Sequence, residues 1–228
     1  MKVLVVDDEP QIRRALRTSL QAHGYEVTSV GTGQEGVLGV AEGSPDLMLL
    51  DLGLPDMDGT EVIRRTRGFS EVPIIVLSVR EGQDQKIKAL DAGADDYVTK
   101  PFSMVELLAR ARAAVRRAQP DEPGPPVLDF GDLHVDLARH SVGLRGEVVH
   151  LTPTEHALLE QFVTNVGKLL THQWLLQRIW GSGYGTETSY LRTYVKALRR
   201  KLGDDATAPG LIVTEPGVGY RWVAEPRA

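Results

Sequence analysis

The chain has no cysteine among its 228 residues. Disulfides, zinc-thiolate sites and thiol nucleophiles are therefore excluded. It also lacks any apolar run of the ~18 residues that a membrane-spanning helix requires. Its start, Met1-Lys2-Val3-Leu4-Val5-Val6, meets acid at Asp7, too soon for the apolar stretch of a secretory signal. These absences point to a cytoplasmic protein that uses no membrane. Internal repeats are missing too, and one proline-rich segment is the only low-complexity stretch. Excess positive charge is likewise missing: the net charge is −5, which taken alone argues against a nucleic-acid partner. The distribution says more. Residues 186–202 hold Arg192, Lys196, Arg199, Arg200 and Lys201 against Glu187, a net of +4. A basic island in an acidic chain suggests one face that meets an anion.

What is present is a soluble globular composition, 42% apolar and 25% charged. The length suits one large domain or two of ordinary size. Residues 1–118 alternate apolar strand candidates (Val3–Val6, Val27–Val30, Leu47–Leu50, Ile74–Leu77, Asp96–Val98) with amphipathic helices such as Pro10–His23, which Gly24 ends. Five such units in order predict a doubly wound, five-stranded parallel sheet covered on both faces, with right-handed crossovers. Residues 119–127 carry four prolines and no periodicity, which marks an extended linker and a domain boundary. From residue 128 onward come short strands near Leu128, Leu133–Asp136, Ser141–Leu144 and Val148–Leu151. Thr152-Pro153-Thr154-Glu155 is a capping box with proline at the first helical position. The helix it starts buries Leu158, Leu159, Phe162 and Val163. Further helices are expected over Thr171–Trp180 and Glu187–Leu202. A hairpin, Leu211–Glu215 with Tyr220–Val223, closes the chain around a glycine-bearing tip. This second domain, residues 128–228, is α+β.

The first domain is organised around Leu47-Met48-Leu49-Leu50-Asp51. The apolar run reads as a strand buried on both faces, which puts Asp51 at its C-terminal end. In open α/β sheets, ligands and chemistry collect at that edge. A lone aspartate there would ordinarily only begin a loop. Asp7 and Asp8 follow the first strand, however, and the first and third strands can be neighbours. Three converging carboxylates repel unless a cation neutralises them. An oxygen-only site with few protein ligands suits Mg²⁺, which keeps several waters. Taken on Asp7 and Asp8 alone, an acidic loop edge without an ion accounts for them equally well. Ser78 and Lys100 end two further strands. A hydroxyl and an ammonium facing a carboxylate-bound cation would cradle a transferred phosphoryl group.

Asp7-Asp8-Glu9, Asp51 with Leu54-Pro55-Asp56-Met57-Asp58-Gly59, Ser78, and Gly93-Ala94-Asp95-Asp96-Tyr97-Val98-Thr99-Lys100-Pro101-Phe102 together resemble the receiver domain of two-component response regulators, of the flavodoxin/CheY-like fold. The resemblance implies that Asp51 accepts a phosphoryl group from a sensor histidine kinase. It implies that Asp8, Asp51 and the Gly53 carbonyl hold Mg²⁺, with Asp7 acting through water. It also implies that Lys100 and Ser78 bind the phosphoryl oxygens, that Tyr97 reports the switch, and that the Lys100–Pro101 bond is cis. One rival uses the same chemistry: Asp56-Met57-Asp58-Gly59-Thr60 fits the Asp-x-Asp-Gly-Thr pattern of haloacid-dehalogenase-type phosphatases. That pattern needs its first aspartate at a strand end, and here the strand ends at Asp51, before Pro55. The protein is therefore read as a regulator rather than an enzyme.

In the second domain, a helical wheel gathers Leu191, Val195, Leu198 and Leu202 into one stripe. Arg192, Lys196, Arg199 and Arg200 lie together on another face with Ser189 and Thr193. A basic helix face is ordinarily just a solvated one. Two helices before it and a hairpin after it make a winged helix instead. Residues 128–226 are similar to the DNA-binding domain of the OmpR/PhoB class, on Leu151-Thr152-Pro153-Thr154-Glu155, Leu198-Arg199-Arg200-Lys201-Leu202 and Gly217-Val218-Gly219-Tyr220-Arg221. Within that class, Ile179-Trp180-Gly181, Glu187-Thr188-Ser189-Tyr190-Leu191-Arg192 and Thr214-Glu215-Pro216-Gly217-Val218-Gly219-Tyr220 resemble the KdpE subfamily, which regulates a potassium-uptake operon. The resemblance implies a phosphorylation-dependent homodimer that binds double-stranded promoter DNA, with RNA polymerase a further partner. The DNA-contact candidates are Arg192 and Lys196 on bases, Arg199 and Arg200 on phosphates, and Thr193 beside them. Arg221 is the cation nearest a wing tip where Pro216 and Val218 replace the usual basic residue. The implied dimer pairs are Lys86–Glu106, Asp96–Arg110 and Asp95–Arg117, around Ile87, Leu90 and Ala109. Gly53 offers no side chain to orient an attacking water, and Arg80 lies two residues past Ser78. A long-lived phosphoryl group is therefore expected.

Overall fold

Runs of apolar residues in the first half form β1 (Lys2–Val6), β2 (Glu26–Val30), β3 (Leu47–Asp51), β4 (Ile74–Ser78) and β5 (Asp96–Thr99). They pair in the order β2-β1-β3-β4-β5, every pair parallel. All five residues of β3 and of β4 are buried, whereas no residue of edge strand β2 is. Continuous hydrophobicity in the sequence thus marks strands covered on both faces. This computed structural model describes residues 1–79, 83–118, 127–181 and 183–227. Arg80 and residues 119–126 of the expected linker lie outside the described residues. The chain divides into two compact units, Met1–Ala118 and Gln119–Ala228.

The helices of the first unit are α1 (Pro10–Ala22), α2 (Gly33–Gly43), α3 (Gly59–Arg67), α4 (Gln83–Asp91) and α5 (Met104–Ala118). Helix α1 has proline in its first turn and buries Leu16 and Leu20. These join Val3, Val5, Leu49, Ile75 and the α5 residues Leu107 and Ala111 in one core. Helix α2 starts at a complete capping box of Thr32 and Glu35. It lies close to β1, because a Cβ on Gly36 would come within 2.9 Å of the Val6 side chain.

The second unit holds β6 (Leu128–Asp129), β7 (Leu133–Asp136), β8 (Ser141–Leu144) and β9 (Glu147–Val148). They form an antiparallel sheet in that order. Helices α6 (Pro153–Val163), α7 (His172–Trp180) and α8 (Thr188–Leu202) follow. The last sheet joins β10 (Leu169–Thr171), β11 (Ile212–Glu215) and β12 (Gly219–Trp222) in the order β10-β12-β11. The capping box opens α6, with Thr152 accepting from the Glu155 amide. Leu158, Leu159, Phe162 and Val163 are buried, as are Leu191, Val195, Leu198 and Leu202. Two details differ from expectation. The strand expected over Val148–Leu151 stops at Val148, since Leu151 and Thr152 already serve the start of α6. Strand β10 was not expected; it pairs Leu170 with Tyr220 and Thr171 with Gly219. That pairing requires glycine at 219, where a Cβ would lie 2.0 Å from the Leu170 carbonyl oxygen.

Candidate phosphoacceptor site and nucleic-acid interface

Parallel strands bring four chemically useful strand ends to one edge of the first sheet. Asp51 closes β3, beside β1, whose end leads directly into Asp7 and Asp8. Carboxylate oxygens of Asp7, Asp8 and Asp51 lie within 4.8 Å of one another. Asp7 and Asp51 are buried and Asp8 is exposed. The Lys100 ammonium donates to Asp51 Oδ2 at 2.6 Å and to Asp7 Oδ2 at 2.8 Å. Burial alone would lower the lysine pKa; hydrogen bonds to Asp51 and Asp7, with their charges, outweigh it and raise the pKa. One ammonium against three carboxylates leaves the pocket anionic, and its donors are all oxygen. That donor set fits a hard divalent cation.

The loop after β3 is held in several places. Asp51 Oδ1 accepts from the Gly53 amide at 3.1 Å. Asp56 accepts from the Gly33 and Gln34 amides at 2.8 and 2.9 Å, at the start of α2. Asp58 caps α3 through the Thr60 amide at 2.9 Å. The two aspartates that fitted a phosphatase pattern thus serve helix N-termini, where carboxylates are stabilised. Gly59 packs so tightly that a Cβ would lie 2.6 Å from Leu52 Cα and 2.7 Å from the Asp51 carbonyl oxygen. Ser78 ends β4, opposite Thr99 of β5, and its carbonyl accepts from the Lys100 amide at 2.8 Å. Tyr97 is buried on β5. The Lys100–Pro101 bond is cis.

The residues expected on a dimer face separate in the structure. Glu106 and Ala109 are exposed, and Lys86, Ile87 and Arg110 are partly so. Leu90, Asp95, Asp96 and Arg117 are buried within the chain. Asp95 is held from inside: its Oδ2 accepts from Arg67 at 2.8 Å and from the Ile74 amide at 2.9 Å. Arg67 also donates to the carbonyls of Gly93, Ser70 and Val72, binding α3 to the turns around β4 and β5. Asp96 pairs with Arg110 of the same chain at 3.2 Å, and Arg110 also with Glu106 at 2.7 Å. Burial raises the Asp96 pKa, opposed by the charges of Arg110 and Arg117.

In the second unit, α8 is buried along most of its surface. Arg192, Lys196 and Arg200 are its exposed cations, spaced four residues apart on one stripe. Two DNA-contact candidates prove to be turned inward. Arg199 is 6% exposed and donates to the Ile212 carbonyl at 2.7 Å and the Thr214 hydroxyl at 3.0 Å. Thr193 is also buried, its hydroxyl donating to the Ser189 carbonyl at 3.0 Å. Arg199 lies one heptad after Arg192, only ~20° away on the wheel. Strand β11 covers the C-terminal part of the helix, so the same helix angle is open at Arg192 and closed at Arg199. Arg221 donates to the Gly167 carbonyl at 3.1 Å and pairs with Glu215 at 3.3 Å. Lys201, part of the same basic island, instead donates to the His150 carbonyl and to Glu155, tying α8 to the start of α6.

A parallel sheet with a lysine-bridged aspartate at its C-terminal edge, followed by a winged helix, defines a response regulator. Residues 3–112 match the response regulator receiver domain family, and residues 146–222 match the family described as transcriptional regulatory protein, C terminal. The chain belongs to the response regulators that join these two domains, the OmpR/PhoB type, and is a phosphorylation-dependent transcriptional regulator. It is similar to the transcriptional regulatory protein KdpE of Mycobacterium tuberculosis strain H37Rv, 52% identical over 97% of this chain and 99% of that protein. It is also similar to the KDP operon transcriptional regulatory protein KdpE of Escherichia coli K12, 48% identical over 97% of this chain and 98% of that protein. Among solved structures, a mutant of RitR matches with a TM-score of 0.80 and 27% identity over 98% of this chain and 99% of that one. Thermotoga maritima DrrB, described as an OmpR/PhoB homologue, matches with a TM-score of 0.52 and 33% identity over 97% and 98%. Family membership implies a sensor histidine kinase and promoter DNA as partners. The family is one of regulators, not of enzymes. Among the described residues, no helix is long and apolar enough to cross a membrane.

Proposed function

We propose that Asp51 is the phosphorylated residue. The observation that carries this is its position: a buried carboxylate at a strand end, 2.6 Å from the Lys100 ammonium and among Asp7 and Asp8. A carboxylate oxygen of Asp51 attacks the phosphorus of the kinase phosphohistidine. The P–O bond forms as the P–N bond breaks, and the imidazole leaves with the electron pair. Asp8, Asp51 and the Gly53 carbonyl would hold Mg²⁺, with Asp7 acting through water; the bound ion would neutralise charge on the phosphoryl oxygens. Lys100 then exchanges its carboxylate partner for a phosphoryl oxygen, and the Ser78 hydroxyl donates to another. Tyr97 responds from within β5. With no side chain at Gly53 to orient water, the phosphoryl group is long-lived.

Phosphorylation promotes a homodimer through α4 and α5, using Lys86, Ile87, Glu106, Ala109 and Arg110. The winged helix places α8 in the major groove of promoter DNA, presenting Arg192 and Lys196 to bases and Arg200 to phosphate. RNA polymerase is the further partner, and the cytoplasm the place of action. A potassium-uptake operon is the target that the similarity to KdpE supports. The test is labelling by acetyl phosphate. Wild type should be labelled only with Mg²⁺, and Asp51→Asn not at all; equal labelling of that variant would refute the assignment.

A further inference from the structure

Arg199 sits in the most basic part of the chain, yet it faces away from solvent, and its partners form a pattern. Its guanidinium donates to the Ile212 carbonyl at 2.7 Å and the Thr214 hydroxyl at 3.0 Å. Its Nε lies 3.8 Å from Asp204 Oδ2, and the side chains of both residues are nearly inaccessible. Asp204 follows Gly203, which ends α8 in a left-handed conformation at φ 67°. From there, Asp204 Oδ1 accepts from the Gly210 and Leu211 amides at 2.8 and 2.9 Å, and Oδ2 from the Ile212 amide at 3.2 Å. One residue, Ile212, is therefore gripped on both sides: its N–H by Asp204 and its C=O by Arg199. Ile212 begins β11, the first strand of the wing hairpin, and is fully buried against its partner Trp222 of β12.

We propose that Arg199 and Asp204 are positioning residues that fix the wing hairpin against α8, so that DNA binding depends on both although neither touches DNA. This rests on the DNA-binding role proposed above. The buried guanidinium and carboxylate offset each other's charge across 3.8 Å, so removing either leaves the other buried without its counter-charge. A winged helix reads DNA with helix and hairpin together, so the angle between them enters the affinity of every contact. Arg199 thereby differs from its neighbour Arg200, whose exposed side chain can meet phosphate.

The experiment uses the full chain with Arg199→Met, Arg199→Lys, Asp204→Asn, Arg192→Ala, Lys196→Ala and Arg200→Ala. A short duplex of mixed sequence serves as the probe, titrated at several salt concentrations. Arg199→Met and Asp204→Asn should each weaken binding about tenfold, the scale of one lost charge-assisted hydrogen bond, with the salt slope unchanged. Arg200→Ala should instead lower the slope by about one. Arg199→Lys keeps the charge without the forked geometry and should fall between wild type and Arg199→Met. Hydrogen exchange without DNA should speed up at the amides of Leu211, Ile212 and Val213 in both clamp variants. Unchanged affinity in a folded clamp variant overturns the proposal. So does a slope lowered by about one in Arg199→Met, which would make Arg199 a phosphate ligand. Should Arg199→Met not fold, Asp204→Asn and Arg199→Lys decide the matter. If wing exchange speeds up while Arg192→Ala, Lys196→Ala and Arg200→Ala all leave binding intact, the DNA interface itself is misplaced and the clamp stands as a wing-holding device.

Discussion

Acid should loosen the DNA-binding unit through a single histidine. His156 lies in the first turns of α6 and is 4% exposed. Its ring stacks on His140, with centroids 4.2 Å apart and planes 12° from parallel, and its Nε2 has no hydrogen-bond partner. Burial, with a smaller contribution from His140, holds its pKa down, from 6.5 to about 4. In the unfolded chain the group titrates near its ordinary value, so between the two values the unfolded state binds a proton that the folded state does not. The stability contributed by the neutral ring is therefore complete above about pH 6.5 and is lost as pH falls towards about 4. At about 1.36 kcal/mol per pKa unit, the full loss is roughly 3 kcal/mol, of which about 2 kcal/mol is gone by about pH 5. All three tryptophans, Trp174, Trp180 and Trp222, belong to this unit. Their fluorescence during urea unfolding thus follows it separately from the receiver. His156→Leu removes the orphaned nitrogen at similar volume and should stay within about 1.5 kcal/mol of wild type at neutral pH. Carboxylates that titrate in acid are common to both proteins, so the difference between the two curves isolates His156. Wild type should fall away from the variant between pH 6.5 and 4; parallel curves would refute the reasoning.

Other expectations concern the receiver. Lys100→Met leaves Asp7 and Asp51 without their shared ammonium and should cost on the order of 3 kcal/mol. Added Mg²⁺ should restore more stability to that variant than it adds to wild type in urea unfolding; equal gains would separate the ion from this pocket. Gly59→Ala forces a Cβ into backbone at 2.6 Å and should destabilise by about 1–3 kcal/mol. It should also slow labelling by acetyl phosphate, because the strained residue lies directly behind Asp51. Arg110→Glu sets a new acid beside Asp96 and Glu106, its present partners. The Arg110–Glu106 pair is partly exposed and worth only about 0–1 kcal/mol, whereas Asp96 is buried, so the variant should destabilise the receiver in urea unfolding as well as weaken the phosphorylated dimer in sedimentation. An unaltered dimer would place the interface elsewhere.

The receiver was legible because its strands are buried on both faces, which leaves apolar runs ending in Asp51, Ser78 and the residues before Lys100. Parallel pairing then forces those ends together, so the acidic pocket follows from the strand order alone. Helix α6 was legible from its capping box. Features set by distant residues were not. Strand β10 exists because Gly219, far along the chain, lets Leu170 approach. Arg199 shares a wheel angle with Arg192, and only the path of β11 decides that one is covered and the other open. Asp95, expected in a cross-subunit pair with Arg117, is held from within by Arg67, a residue 28 positions earlier that no local pattern points to. Asp56 and Asp58 matched a catalytic pattern, but they are helix caps, a role that depends on where α2 and α3 begin.

The measurement closest to the central claim is DNA binding as a function of the phosphorylation state of Asp51. The full chain, with Mg²⁺, should be footprinted on the promoter of the potassium-uptake operon of its own genome, with and without acetyl phosphate. Asp51→Asn should be run in parallel. Protection that acetyl phosphate strengthens in wild type and leaves unchanged in Asp51→Asn is the predicted result. Equal strengthening in both proteins, or none in either while Asp51 is labelled, would contradict the account.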